Sequence, residues 1–169
     1  MSQRSQAIPV VCFVGRSQAG KTTLLEKLIP ELKRRGYRVA TVKHHSRPGF
    51  EIDYPGKDTW RHAQAGSDQV VIVAPDKMAA IRRLERELTL DEIIATIEGV
   101  DIILVEGFKR ANKPKIEVIR AACGAEPLCA PHELAAIVSD VPLSLAVPRF
   151  GLDDVTGLAD LIEARFASI

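Results

Sequence analysis

The sequence predicts an α/β domain built on a mainly parallel, twisted sheet with helices on its faces. Three observations carry this expectation. Short apolar runs alternate with segments of helical periodicity, as in repeated strand–helix–strand units. Most of those runs, such as Val10–Val14, are apolar at nearly every position, the pattern of strands covered on both faces. Finally, Gly15-Arg16-Ser17-Gln18-Ala19-Gly20-Lys21-Thr22 is a complete G-x-x-x-x-G-K-[ST] loop, with an apolar run entering it and a helical pattern leaving it.

In chain order, strands are expected at Val10–Val14, 38–43, Gln69–Ala74, 101–105, Lys115–Ile119, 135–139 and 145–147. The first helix, 21–35, sets Leu24, Leu25, Leu28, Ile29 and Leu32 on neighbouring faces. Gly36 suits the position just past its end, where a left-handed backbone is favoured. Pro30 removes one backbone donor inside it and predicts a kink near Glu26. A second helix over 58–65 is closed by Gly66. Thr89-Leu90-Asp91-Glu92 reads as a capping box opening a third, to about residue 98. The last, 156–166, turns Leu158, Leu161, Ile162 and Phe166 inward. Residues 44–57 carry Pro48, Gly49, Pro55 and Gly56 and read as a loop, as does the polar, basic stretch 106–114. Irregular connections as long as the first are uncommon in compact domains and are often functional. The mixed-charge run 82–87 reads as solvated surface.

A chain of 169 residues is one domain's worth. The expected organisation is a short mobile tail, 1–8, followed by a single domain, 9–169. With 23 basic and 22 acidic residues the net charge is +1, too small to draw nucleic acid or an anionic membrane by field alone. No apolar run approaches the roughly 20 residues of a membrane span, and the N-terminus lacks the apolar segment of a secretory signal. The expectation is a soluble cytoplasmic protein with neither nucleic acid nor membrane as partner. Of three cysteines, Cys12 falls inside the first strand as a small apolar residue. Cys123 and Cys129 are not expected to pair in a reducing cytosol. Cys129 with His132 makes half a metal site that no second pair completes.

The loop supplies the first chemistry. Its glycines let the backbone turn sharply and approach phosphates closely. Its N–H groups and the following helix's N-terminus attract anions. Lys21 is placed to reach the β- and γ-phosphates, and the Thr22 hydroxyl to hold Mg²⁺. Glu106 ends a buried apolar strand at its carboxyl end, where open α/β sheets bind ligands. It is expected to hold Mg²⁺ or orient the attacking water, with Gly107 permitting close approach. Asp53, at the end of the long loop, is a second candidate acid in a segment resembling a switch loop. Lys43, His44 and His45 end the second strand and are candidates for phosphate or partner contacts. Ser139-Asp140 ends a late buried strand as a shortened form of the Asn-Lys-x-Asp signature. Asp140 there would accept from the N1 and N2 donors of guanine, which adenine lacks.

Beyond the loop, Lys43-His44-His45, the Ile52-Asp53-Tyr54-Pro55-Gly56-Lys57-Asp58-Thr59-Trp60-Arg61-His62 stretch, Ala65-Gly66 and Leu104-Val105-Glu106-Gly107-Phe108-Lys109 recur in a characteristic order and spacing. In these the chain resembles the molybdopterin-guanine dinucleotide biosynthesis protein B family over about residues 9–165. The resemblance implies a P-loop NTPase fold of three α/β/α layers, binding of GTP and Mg²⁺, weak hydrolysis and a homodimer. It implies an adaptor for the nucleotidyltransferase that joins GMP to molybdopterin, working among molybdopterin-handling proteins. The family's phosphate-loop roles fall on Gly15, Arg16, Ser17, Gln18, Ala19, Gly20, Lys21, Thr22 and Thr23, its strand-end acid on Glu106 and its Asp-x-Pro-Gly acid on Asp53. Many relatives in the wider class carry an extra lysine after the first loop glycine, where this chain has Arg16. The alternative is a small-molecule kinase using the same loop. Phe108-Lys109-Arg110-Ala111-Asn112-Lys113 would then be its basic lid, and Lys109 is a candidate ligand contact in either case.

Overall fold

The computed structural model describes residues 7–166, so the part of the expected tail over 1–6 lies outside the described residues. The element order is β1 (Val10–Val14), α1 (Lys21–Arg34), β2 (Val39–Lys43), α2 (Asp58–Gln64), β3 (Gln69–Ala74), β4 (Lys77–Arg82), α3 (Leu90–Ile94), β5 (Ile102–Glu106), β6 (Lys115–Ile119), β7 (Leu134–Ser139), β8 (Arg149–Phe150) and α4 (Val155–Phe166). These residues group into two compact units, one of 7–44 with 93–166, the other of His45–Glu92.

The first unit holds a six-stranded sheet in the order β2-β5-β1-β6-β7-β8, with every pairing parallel. Alternate strand residues point to opposite faces. On one face Val11, Phe13, Ile102, Leu104, Ile116, Val118, Ala136 and Val138 form a core with Leu24, Leu25, Leu28 and Leu32 of α1 and Leu158, Ala159 and Ile162 of α4. Each such leucine or isoleucine, fully buried, contributes on the order of 1.5–3 kcal/mol. On the other face Ile119, Leu134 and Ile137 pack beneath Val141, Leu143, Leu145 and Val147. The apolar run 145–147 is therefore loop rather than the strand expected of it. The strand forms just beyond, at Arg149–Phe150, because ladder pairing with β7 begins only when Ile137 N–H donates to the Pro148 carbonyl, 2.9 Å.

Helix α1 stops as its sequence directs. Gly36 is left-handed at φ +96°. Its N–H donates to the Lys33 carbonyl, and Tyr37 N–H to that of Leu32, the Schellman closure. Pro30 lies within the helix without ending it. Arg35 then joins Glu31 to Asp160 and Glu163, so a guanidinium fastens α1 to α4. Strand β6 buries two charges, which is tolerable only when both are paired. Glu117, 1% exposed, accepts from the N–H groups of Leu128 (2.6 Å) and Cys129 (3.1 Å). Lys115 meets Glu133 at 2.9 Å.

In the second unit β3 does not join the parallel sheet. It pairs antiparallel with β4 from Gln69↔Arg82 to Ala74↔Lys77. Pro75 and Asp76, both common turn residues, form the two-residue connection between the two strands. Helix α2 ends as expected, with Gly66 N–H on the Ala63 carbonyl and Ser67 N–H on that of His62. The capping box is also present, since Thr89 N–H and hydroxyl donate to Glu92 while Glu92 N–H donates to the Thr89 hydroxyl. Its helix stops at Ile94 rather than near 98. There the Thr96 hydroxyl donates to the Ile93 carbonyl at 2.7 Å, the local competition that makes threonine a poor helix continuer.

Candidate functional site

The chain runs from β1 out to the edge strand β2, returns to β5 on one side of β1, and continues through β6 on the other. This makes the carboxyl end of β1 a topological switch point, the place where such sheets open a ligand crevice. Three segments border it: the 15–20 loop after β1, Glu106 at the end of β5, and Arg120 just past β6.

The loop conformation requires its glycines. Gly15 has φ +144°, and a Cβ there would lie 2.4 Å from the Val118 carbonyl oxygen. Gly20, at φ +91°, is the N-cap of α1 and brings no side-chain cap, and no acid occupies the first turn. The first amides of a 14-residue helix thus keep their anion-attracting end without an internal carboxylate. Lys21 folds back over the loop, donating to the carbonyls of Arg16 (2.7 Å) and Gly15 (3.1 Å). Burial lowers its pKa below the usual lysine value, and the nearby Glu106 carboxylate opposes that shift.

Strand register gathers the remaining groups. Phe13 and Lys43 both align with Glu106, so parallel neighbours deliver Lys43 and Glu106 to the same level. Their ion pair measures 2.6 Å. The Thr22 hydroxyl lies 3.1 and 3.0 Å from the two Glu106 oxygens. Gly107 is left-handed at φ +103°, and a Cβ there would fall 2.8 Å from His44 Cβ. The next residue, Phe108, has φ +51° and stacks on His44 with ring centroids 4.4 Å apart. Gln18, Gly20, Lys21, Thr22, Thr23 and Glu106 enclose a pocket of about 220 Å³.

Thus Lys21, Thr22, Thr23, Glu106 and Lys43 come together around one hollow, with His44 bracing its edge through Phe108. Lys109 lies in the turn closed by Ala111 N–H on the Phe108 carbonyl. Asp53 and His45 belong to the second unit. Asp53 accepts from Tyr54 N–H, while the His45 ring bonds the Arg47 carbonyl and meets Phe50 edge-on. Asp140 stands at the end of β7 as expected, but its carboxylate is engaged. One oxygen accepts from Ala121 N–H at 2.8 Å and the other faces Arg120 Nε at 3.4 Å. The Ala121 amide, then Arg120, holds its pKa below the usual carboxylate value. Sequence reasoning did not single out the pocket next door, about 200 Å³, lined by Ala19, Gly20, Thr23, Leu24, Lys27, Arg120, Leu152 and Asp153. Its readable signal was Arg120, just past the expected strand β6, whereas Asp153 follows β8, which forms outside the run expected to be a strand.

Among the described residues no group of three or more His, Cys, Asp or Glu side chains gathers as a metal cage. The Thr22–Glu106 pair instead has the hard oxygen donors, few in number, that suit Mg²⁺, an ion that keeps waters and bridges to phosphate. No helix among the described residues is long and apolar enough to cross a membrane.

The family model described as Molybdopterin guanine dinucleotide synthesis protein B matches residues 10–140. The chain belongs to this family. It is 38% identical over 161 residues to the molybdopterin-guanine dinucleotide biosynthesis adapter protein of Escherichia coli (strain K12), covering 92% of this chain and 91% of that one. The protein of the same name from Haemophilus influenzae is 36% identical over 92% of this chain and 88% of its own length. A crystal structure of molybdopterin-guanine biosynthesis protein B superposes with a TM-score of 0.71 at 31% identity, covering 92% and 98% of the two chains. These family structures share the P-loop NTPase type of fold, a mostly parallel sheet flanked by helices.

Proposed function

We propose that this protein is a GTP-binding adapter in molybdenum cofactor maturation. It would assist the nucleotidyltransferase that attaches GMP to molybdopterin to form the guanine dinucleotide cofactor. The observation that carries the reading is the convergence of Lys21, Thr22 and Glu106 on one hollow at the switch point in a chain of this family. Loop amides and Lys21 bind the β- and γ-phosphates. Thr22 and Glu106 would hold Mg²⁺, which when bound neutralises phosphate charge. Glu106 would also accept from a water beside the γ-phosphate, and the hydrolysis it supports is proposed to be slow and accessory. Asp53 is proposed as a further acid toward the γ-phosphate and metal, and His45 and Lys109 as contacts for the partner. The adapter reading is preferred to a small-molecule kinase because the similar proteins from Escherichia coli and Haemophilus influenzae are both named as adapters.

The protein is further proposed to act as a cytoplasmic homodimer. The β3–β4 hairpin exposes Val71, Val73 and Met78 on one face, the last two at 74% and 70%, with Ile72 exposed on the other, apolar surface of the kind that marks a protein partner. Val73→Glu with Met78→Glu is expected to halve the solution mass measured by light scattering; an unchanged mass moves the interface elsewhere.

The adapter role is tested by adding the purified chain and GTP to a molybdopterin-loaded nucleotidyltransferase and following dinucleotide formation. A rate increase that Lys21→Ala does not reproduce is expected. No change in rate, with no co-purification of the two proteins, would remove the adapter role.

A further inference from the structure

The pocket lined by Arg120 and Asp153 shares Gly20 and Thr23 with the phosphate-loop pocket, so the two lie side by side. Together they approach the few hundred Å³ of a small-ligand site. A nucleotide with its phosphates on the loop must send its nucleoside to one side. On the β5 side stand Glu106 and its ion pair with Lys43. On the other side this second pocket lies open.

We infer that it seats the nucleoside of the bound nucleotide and that Asp153 is the residue that selects guanine. The inference rests on the nucleotide reading above. Leu24 and Leu152 supply apolar walls, and the Arg120 guanidinium supplies a planar cation of the kind that stacks on a ring. Asp153 is 89% exposed and meets Lys27 Nζ at 2.6 Å through Oδ1. Lys27 holds its pKa below the usual carboxylate value, so at neutral pH it is an ionised acceptor. A carboxylate beside an ammonium presents acceptors next to donors. The guanine edge offers the complement, N1–H and N2–H donors next to the O6 acceptor. Adenine reverses the order, placing its N1 lone pair against the carboxylate.

Asp140 is differently employed. Its two oxygens bond Ala121 N–H and Arg120 Nε, and it lines neither pocket. It is a positioning residue that aims Arg120, and the base-reading role expected of it passes to Asp153.

The test is equilibrium binding of GTP, XTP and ATP, with Mg²⁺, to the full chain and its Asp153→Asn, Asp140→Asn and Lys21→Ala variants. Xanthine carries a carbonyl where guanine has the N2 amino group. Asparagine offers one acceptor and one donor, which match N1–H and that carbonyl. Asp153→Asn is expected to weaken GTP about 100-fold and to strengthen XTP about 10-fold. Asp140→Asn should leave the GTP-to-XTP ratio within about threefold. The exposed Asp153 makes only a surface ion pair, so the variant should fold, as its circular dichroism would show. If wild type binds GTP through Lys21 while Asp153→Asn leaves the GTP-to-XTP ratio unchanged, Asp153 does not read the base. If wild type binds no triphosphate, or Lys21→Ala binds as tightly, the nucleotide reading fails and this inference with it.

Discussion

Lys21→Ala is expected to weaken nucleoside triphosphate binding by at least about 100-fold, below detection in a micromolar titration. The lysine begins α1, and its ammonium sits over the Gly15 and Arg16 carbonyls at the mouth of the hollow. Burial disfavours its charge there, so an arriving phosphate gains a partly desolvated cation whose field is less screened than in bulk water. Hydrogen bonds to charged groups each contribute about 1.5–3 kcal/mol, and two phosphate oxygens within reach multiply to the stated loss. Stability should change little, because alanine is a good helix former and the ammonium lost from this half-buried helix start bonds only loop carbonyls. The readouts are calorimetric titration and thermal melting. Unchanged affinity would sink the assignment of the loop. A melting point lowered by more than about 8 °C would make the loss of binding a folding effect.

Glu106→Gln is expected to slow GTP hydrolysis about 100-fold while changing affinity less than about 10-fold. Glutamine keeps the shape and can still accept from the Thr22 hydroxyl, which now lies about equally near both carboxylate oxygens at 3.0 and 3.1 Å. What it loses is the negative charge that faces Lys43 at 2.6 Å and that would face the metal. Ground-state binding is carried mainly by the loop amides and Lys21, so the defect should fall on turnover. Single-turnover hydrolysis at saturating GTP separates the two quantities. Equal rates in variant and wild type would take Glu106 out of the chemistry and leave it a strand-end ion pair.

The parts of this site that were legible in sequence are those encoded locally. The loop is a contiguous motif whose glycines answer to backbone geometry, as the 2.4 Å approach of Val118 to a Cβ at Gly15 shows. Glu106 was legible because four buried apolar residues, Ile102 to Val105, measure out a strand and leave it at the end. Helix ends at Gly36 and Gly66 follow the same local logic. The residues that were missed depend on pairing across the chain. Lys77–Arg82 becomes a strand only by pairing with β3, and its own residues carry no strict alternation. Leu145–Val147 has strand-like composition but packs as loop over Ile137, so β8 moved to Arg149–Phe150. Asp153 enters the pocket with Arg120 because β8 lies two strands from β6 in the sheet, an order that local periodicity does not encode. Asp140 reached the expected strand end, yet the neighbouring Ala121 amide and Arg120 claimed its oxygens.

The central claim is that Lys21, Thr22 and Glu106 form one Mg²⁺-dependent nucleotide site. Titration of the full chain with GTP, once with Mg²⁺ and once with a chelator, addresses it most directly. One saturable site per chain, weakened at least about 10-fold when Mg²⁺ is removed, is the expected result. Absence of saturable binding in the presence of Mg²⁺, or identical curves with and without it, would contradict the claim.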